Sequence, residues 1–194
     1  MQKTTYTTDW FTINIPNWET LLERFKGKPQ LRYLEVGCFQ GRSLVWMLEN
    51  ILTHETSTAD AVDSWAGSPE HSDEQKKDLF MIFLNNVSSY PVDKINIHRG
   101  YSYSILRRDF SVGYDMFDII YIDADHKASS VLEDAILAFR LLKPGGVMIF
   151  DDYQIENTDH DINFPKIAID AFCHIFRDEI ENMYISYQVA IIKK

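Results

Sequence analysis

The sequence predicts an α/β protein with an open, doubly wound sheet and helices on both faces of that sheet. Short apolar runs of strand length alternate along the chain with segments whose apolar residues repeat at helical spacing. The run at residues 33–36 passes through Gly37 and Gly41 into such a helical segment. Acidic residues follow the later runs, at the carboxyl ends of the predicted strands, where open α/β sheets bind their ligands.

Length and composition favour one globular domain. The chain has 194 residues, of which 45% are hydrophobic and 25% charged, and its formal net charge is −10. A single domain at 1–194 is expected, with a core at 31–194 and a helical extension at 1–30. The negative charge disfavours a nucleic-acid partner. The chain shows no 18-residue apolar run and no signal-peptide core, which predicts a cytoplasmic protein without a membrane partner. The sequence does not decide whether the protein forms a homo-oligomer. The two cysteines, Cys38 and Cys173, do not make up a disulfide framework.

The N-terminal extension predicts a helix that begins near Pro16 and ends before Gly27 and Pro29. Its apolar face is formed by Trp18, Leu21, Leu22 and Phe25. Two interpretations are open for this helix: it packs against the edge of the sheet, or it forms part of a lid over the active site.

The turn after the first strand has the spacing Glu-x-Gly-x-x-x-Gly-x-Ser, which spans residues 35–43. Gly37 permits a sharp turn and the close approach of a ligand to the main chain. Gly41 leaves amide donors of the first helical turn open to an anionic group. A dinucleotide site needs a glycine between these two. Cys38 and Phe39 stand there instead, which favours a ligand whose only anionic part is a carboxylate. Another nucleotide-binding fold or a simple tight connection is the alternative.

This turn resembles motif I of the class I S-adenosylmethionine (SAM) methyltransferases, and Leu-Leu-Lys-Pro-Gly-Gly at 141–146 is also typical of them. The resemblance is strongest to small-molecule O-methyltransferases of the catechol, caffeoyl-CoA and macrolide-sugar (macrocin) types, and it runs from about residue 31 to the end. It implies a Rossmann-like sheet, mostly parallel with a C-terminal antiparallel strand, and SAM as the cofactor. The residues of this turn that it assigns to the cofactor site are Glu35, Gly37, Gly41 and Ser43.

The second strand is predicted at residues 58–63 and ends in an acid. A carboxylate at this place can accept hydrogen bonds from both hydroxyls of a ribose, so Asp63 is expected to bind SAM; a turn or helix-capping role is the alternative. Ser64 is assigned to the same site, and the ring of Trp65 could stack on adenine. A loop is expected next, followed by a helix capped by Asp73.

The remaining elements follow in regular order. A third strand is expected at 95–98 and is followed by Gly100 and Ser102. These two residues match a Gly-x-Ser motif of the methyltransferases named above, in which the serine and neighbouring amides contact adenine. The alternative is that Ser102 only caps a helix. The other expected elements are a strand at 117–122, a helix at 129–142, a strand at 147–150, a loop at 153–164, a helix at 165–176 and a hairpin at 182–193.

Acidic side chains follow the fourth and fifth strands: Asp123 ends the fourth, and Asp151 with Asp152 ends the fifth. Carboxylates that converge would repel one another unless a cation lay between them, and oxygen ligands suit Mg²⁺, Ca²⁺ or Mn²⁺. In the resembling metal-dependent enzymes, an Asp at the first position and an Asp-Asp or Asp-Asn pair at the second bind the metal. This implies a divalent cation, Mg²⁺ first, at these three residues, with Asp123 also assigned to the cofactor. Solvated acids that cap helices are the alternative.

His126 lies three residues after Asp123 and is the candidate catalytic base. Histidine accepts protons near neutral pH. The catechol-type enzymes have a lysine at this place and a histidine is expected in the macrolide-sugar enzymes, so the class of acceptor hydroxyl is left open. Capping the next helix or contacting a carboxylate is the alternative role, and His160 could reach the metal from the loop at 153–164.

Together these residues and the resemblance imply a SAM-dependent methyltransferase that methylates a hydroxyl of a small acceptor, such as a sugar, a glycoside or a phenol, with the help of a divalent cation. Two alternatives are a non-catalytic SAM-binding module of the same fold and a hydroxylase-like or oxidoreductase relative. A protein that only binds SAM needs neither a general base nor a metal site. The combination of Asp123, His126, Asp151 and Asp152 therefore favours catalysis.

Overall fold

The computed structural model describes residues 4–67, 72–155 and 164–194, and for residues 182–185 it describes the backbone alone. Within these residues the strands are β1 (Arg32–Val36), β2 (Thr58–Asp63), β3 (Ile95–Arg99), β4 (Phe117–Ile122), β5 (Leu142–Phe150), β6 (Ile180–Ile185) and β7 (Val189–Lys193). The α-helices are α1 (Ile15–Leu22), α2 (Arg42–Asn50), α3 (Asp73–Lys76), α4 (Leu79–Val87), α5 (Ser102–Arg108), α6 (Ala128–Phe139) and α7 (Pro165–Ile175). None of these helices is both long enough and apolar enough to cross a membrane.

The strands form one sheet in the order β3-β2-β1-β4-β5-β7-β6. The strands from β3 to β5 in this order pair in parallel, and β7 runs antiparallel to both of its neighbours. The predicted doubly wound sheet with a C-terminal antiparallel strand is confirmed. The winding reverses between β1 and β4, and a crevice opens at the carboxyl ends of the strands at such a point.

Each face of the sheet carries its own layer of helices. Successive side chains of a strand point to opposite faces, so Tyr33 and Tyr121 belong to one core, and Leu34 and Ile122 belong to the other. The first core includes residues of α1, α2 and α4, and the second includes residues of α5, α6 and α7. The prediction of helices on both faces is confirmed.

The fifth strand begins at Leu142, earlier than the predicted start at Val147, and α6 ends at Phe139 rather than at residue 142. Phe117 pairs with Leu142 and Ile119 pairs with Val147. Residues 143–146 of β5 therefore lie opposite a single residue of β4. The Lys-Pro-Gly-Gly sequence therefore forms a bulge within the strand rather than a turn before it, and Gly145 takes a φ of +76° there.

The predicted helix from Asp73 to Val87 is divided in two. Asp78 has a left-handed φ of +53°, which separates α3 from α4. The cap of α3 is Ser72 and not Asp73, because the Ser72 hydroxyl accepts a hydrogen bond from the Gln75 amide and the Gln75 side chain accepts one from the Ser72 amide. This reciprocal pair satisfies two backbone donors that a helix start leaves unpaired.

Gly37 brings the carboxyl ends of β1 and β4 into backbone contact. Its φ is +92°, and a Cβ at this position would lie 1.9 Å from the carbonyl oxygen of Asp123. The Asp123 amide donates a hydrogen bond to the Val36 carbonyl at 2.7 Å, and the Gly37 amide donates one to Val62 at 2.8 Å. No side chain fits between these strand ends, so position 37 is restricted to glycine.

We predict that Gly37→Ala lowers the free energy of unfolding by at least about 3 kcal/mol, because the main chains of β1 and β4 must separate. Gly145→Ala is the matched control: its φ is also positive, but a Cβ there meets nothing within 4 Å. It should cost only the conformational strain, about 1 to 2 kcal/mol. Denaturant unfolding measures both variants, and equal losses would show that the contact at Gly37 tolerates a methyl group.

Candidate active site

A cavity of about 1000 Å³ lies at the carboxyl ends of the central strands. Gly37 and Phe39 after β1, Asp63 and Ser64 at the end of β2, and Asp123 after β4 are part of its wall. Its volume is at the upper end of the range for ligand pockets, about 300 to 1,000 Å³. The cavity is therefore large enough for two ligands side by side.

Glu35 and Ser43 support the glycine turn from behind and do not line the cavity. Glu35 is fully buried and accepts hydrogen bonds from the Ser43 hydroxyl at 2.7 Å and the Tyr33 hydroxyl at 2.5 Å. Burial raises the pKa of Glu35 to about 8, although these two hydrogen bonds oppose the shift. The carboxyl group ties β1 to the first turn of α2.

Gly41 also lies away from the cavity. It has a φ of +80°, and a Cβ there would meet the ring of Phe83 at 3.1 Å. The expectation that Gly41 opens helix donors to a ligand is corrected, because its open side is closed by α4. Among the described residues of this turn, Gly37 and Phe39 are the ones that line the cavity.

Asp63 lines the cavity and also organises the turn beside it. One carboxylate oxygen accepts hydrogen bonds from the Cys38 and Phe39 amides, both at 2.8 Å, and the other accepts one from the Trp65 amide at 2.6 Å. The acid thus fixes the glycine turn of β1 from the end of β2. Its position next to the cavity is the one expected for a group that binds ribose.

Trp65 does not face the cavity, which corrects the expectation that it stacks on adenine. Its φ of +50° turns the ring into the core, where it packs on Phe80 and Phe83 with ring centroids 4.8 and 4.6 Å away. The indole nitrogen donates a hydrogen bond to the Phe39 carbonyl at 2.9 Å. Exposed aromatic rings that do line the cavity include Tyr101 and Trp10, and the Trp10 ring centroid lies 5.3 Å from that of Phe39.

The segment after β3 places Tyr101 and Ser102 in the cavity wall, whereas Gly100 is not among the lining residues. The Gly100 amide donates a hydrogen bond to the Asp63 carbonyl at 2.8 Å. Ser102 is hydrogen-bonded to the buried Asp134 of α6, whose pKa burial raises to about 7. Sequence reasoning missed Tyr101, although its place within Gly-Tyr-Ser at a strand end was a usable signal.

Three side chains at the other end of the cavity could hold a metal ion: Asp123, His126 and Asp152 each offer one ligand atom, and these atoms lie within 4.8 Å of one another. Nε2 of His126 is 2.8 Å from an oxygen of Asp152. Tyr187, in the β6–β7 connection, donates a hydrogen bond to the other oxygen of Asp152 at 2.6 Å. Two of the three predicted ligands thus belong to this cluster.

Asp151 lines the cavity but lies outside this cluster, which corrects its expected place in the ligand set. One of its oxygens accepts hydrogen bonds from the Gln188 side chain at 3.1 Å and the Asp152 amide at 2.8 Å. The Tyr121 hydroxyl donates to the other oxygen and also lies 3.0 Å from Asp123. Three donors therefore occupy the two oxygens of Asp151.

The acids at this end of the cavity disfavour one another's ionisation. Burial, followed by the charges of Asp151 and Asp152, raises the pKa of Asp123 well above its ordinary value. Burial and the charge of Asp152 raise the pKa of Asp151 to about 6. Burial also acts to raise the pKa of Asp152, but the hydrogen bond and charge of His126 outweigh it and lower that pKa. A cation among these groups would relieve the repulsion, and the carboxylate and imidazole donors fit a divalent ion.

The N-terminal segment forms a further wall of the cavity. Lining residues on it include Asp9, Trp10 and Asn17. Arg42 of α2 anchors the segment with a hydrogen bond to the Thr12 hydroxyl at 2.8 Å and lies 3.5 Å from Asp9. The extension therefore covers part of the site. His71 and His160 lie outside the described residues.

The chain is similar to known methyltransferases in sequence and in fold. A family described as "Methyltransferase domain" matches residues 34–153. The chain is 27% identical over 185 residues to the uncharacterized protein R132 of Acanthamoeba polyphaga mimivirus, a match that covers 94% of this chain and 75% of that protein.

Solved structures that share the fold include two methyltransferases. One is an O-methyltransferase from Bacillus cereus in complex with S-adenosylhomocysteine (SAH), with a TM-score of 0.68, 20% identity, and coverage of 97% of this chain and 84% of that one. The other is the methyltransferase MycE of the mycinamycin pathway in complex with Mg and SAH, with a TM-score of 0.62, 18% identity, and coverage of 98% and 51%. Because the family match spans more than half of its residues, the chain belongs to the methyltransferase domain family.

Proposed function

We propose that this methyltransferase transfers the methyl group of SAM to a hydroxyl of a small acceptor, with the help of a divalent cation. The observation that supports this most is the arrangement of one cavity. The glycine turn with Asp63 and Ser102 lies at one end, and the cluster of Asp123, His126 and Asp152 lies at the other. A cofactor at the first end would direct its methyl group toward an acceptor at the second.

The chain's own residues would perform three tasks in this reaction. Asp63 would bind the ribose, since it lies at the cavity wall at the end of β2. Asp123 and Asp152 would hold the cation, which when bound would orient the acceptor hydroxyl and favour its ionised form. His126 would remove the hydroxyl proton, with the carboxylate of Asp152, 2.8 Å away, orienting the ring and stabilising its protonated form.

Two roles are open to His126, because the nitrogen that contacts Asp152 is also part of the cluster that could hold a metal. A base changes the chemical step alone, whereas a ligand also changes the affinity for the cation. The two roles are separated by measuring metal binding and turnover on the same variant.

We expect Asp63→Asn to weaken SAH binding by about 30- to 150-fold, equivalent to about 2 to 3 kcal/mol, because the amide cannot replace both accepting oxygens. Isothermal titration calorimetry measures the affinity. Asp125→Asn is the control, since Asp125 also lines the cavity but bonds to Ser130 and to the Lys127 amide. Equal affinities of Asp63→Asn and the parent would remove Asp63 from the site, and a parent without affinity for SAM or SAH would contradict the proposed function.

Removal of divalent cations with EDTA should abolish methyl transfer and leave SAH binding largely intact, because the cluster lies on the acceptor side. Mn²⁺, whose binding is measured by electron paramagnetic resonance, should occupy one site per chain. Asp123→Asn and Asp152→Asn should each weaken Mn²⁺ binding by at least about tenfold, whereas Asp151→Asn should change it less, since Asp151 lies outside the cluster. Full activity in EDTA would contradict cation assistance.

Replacing His126 with alanine should lower kcat by roughly 10² to 10⁴, the usual contribution of a general base, with little change in SAH affinity. As a base and not a ligand, it should leave Mn²⁺ binding within about twofold of the parent. A tenfold loss of Mn²⁺ affinity would assign His126 to the metal, and turnover close to that of the parent would deny it both roles.

A further inference from the structure

The antiparallel pairing of β5 with β7 brings the turn before β7 to the acidic end of the cavity. At the carboxyl end of β5, Phe150 pairs with Val189. Antiparallel neighbours run in opposite directions, so the residues that follow Phe150 meet the residues that precede Val189. The contact agrees with this register: Tyr187, two residues before Val189, donates its hydroxyl proton at 2.6 Å to Asp152, two residues after Phe150. The sheet itself therefore places this hydroxyl on that acid.

The backbone of Asp152 has an uncommon conformation. Its φ is +57°, in the left-handed region that residues other than glycine seldom adopt. Such a conformation persists where the surrounding contacts hold it, and residues of this kind cluster at active sites. The residue is also buried. The direction of the Asp152 side chain thus depends on the groups that contact it.

The two oxygens of the Asp152 carboxylate have different partners. One accepts the hydrogen bond from Tyr187, and the other lies 2.8 Å from Nε2 of His126. A tyrosine hydroxyl is protonated near neutral pH, so toward a carboxylate it acts only as a donor. It fixes the rotation of the carboxylate about its last bond, and with that rotation the direction of the oxygen that faces His126.

The position of Tyr187 is set by the backbone of its turn. The Ser186 amide donates a hydrogen bond to the Gln188 carbonyl at 2.9 Å, and the Gln154 amide donates one to the Tyr187 carbonyl at 3.4 Å. The Tyr187 side chain is 38% exposed and lines the cavity, so it contributes little to the core. Within the described part of the chain, Asp152 is the hydrogen-bond partner of its hydroxyl. The hydroxyl is therefore directed at the site and not at the fold.

We propose that Tyr187 is a positioning residue of the reaction: its hydroxyl holds the Asp152 carboxylate in the orientation in which it joins the metal-binding cluster and contacts His126. This inference rests on the proposed function, in which Asp152 helps to hold a divalent cation. Removing a partner that orients a metal-binding side chain typically weakens metal binding by about 10- to 100-fold. Tyr187 thus sets the affinity for the cation from outside the ligand set.

Tyr187→Phe removes the hydroxyl and keeps the ring. We expect it to weaken Mn²⁺ binding, measured by electron paramagnetic resonance without an acceptor, by about 10-fold or more. Its SAH affinity, measured calorimetrically, should stay within about twofold of the parent, because the cofactor end of the cavity is unchanged. Tyr90→Phe is the matched control: its hydroxyl also donates to a carboxylate, that of Glu49 at 3.2 Å, but Tyr90 is outside the described lining of the cavity. This control should leave both affinities unchanged.

A double-mutant cycle tests whether the hydroxyl acts through Asp152. Asp152→Gly removes the carboxylate, and glycine adopts the φ of +57° at this position without strain. We expect Tyr187→Phe to change the Mn²⁺ affinity of Asp152→Gly by no more than about twofold, because the group on which the hydroxyl acts is gone. A further loss of about tenfold in this background would show that Tyr187 acts by another route, and would overturn the proposal.

Two other results would overturn the positioning role while the proposed function stands: Tyr187→Phe binds Mn²⁺ as tightly as the parent, or it loses as much affinity for SAH as for Mn²⁺. The second result would show damage to the whole cavity and not an effect on Asp152. A parent protein that binds SAH but no Mn²⁺ would instead remove the cation from the proposed function, and the role of Tyr187 with it.

Discussion

The backbone contact between Gly37 and Asp123 is the constraint on which the site depends. It joins the ends of β1 and β4, the two strands between which the winding of the sheet reverses. Because the turn of β1 lies against the chain that leaves β4, a ligand bound at that turn necessarily lies next to Asp123. Asp63 holds the same turn from β2 through two amide hydrogen bonds. The relative positions of the two ends of the cavity are thus set by main-chain geometry.

The adjacent acids Asp151 and Asp152 make different contacts. Asp152 faces His126, whereas Asp151 is fixed by Tyr121 and by Gln188. Gln188 in turn accepts a hydrogen bond from the indole of Trp18 at 2.8 Å. This chain of buried hydrogen bonds connects α1 and the start of β7 to the acids. A buried network of this kind keeps one conformation because every member needs its partner, and it fixes the position of Asp151 at this end of the cavity.

The predictable parts of the structure are those that periodicity and special residues define. The presence of the strands and the positions of Gly37 and Asp63 followed from apolar runs and from a turn with few chemical solutions, whereas the architecture of the sheet was implied by the resemblance. The orientation of the Trp65 ring toward the core could not be predicted, because nothing in the sequence indicates a positive φ at a tryptophan. The different contacts of Asp151 and Asp152 depend on Tyr121 and Gln188, which are 30 and 37 residues from Asp151 in the sequence. Local pattern cannot reveal such long-range partners.

The position of β7 affects how the chain can fold as it is synthesised. β7 follows β6 in sequence but lies between β5 and β6 in the sheet. A nascent chain that has emerged only as far as residue 185 therefore presents the apolar strand β5 as an open edge, with no place yet for β6 to join. Open apolar edges pair readily with other chains. β7 is therefore the strand whose synthesis lets the apolar edge of β5 be covered.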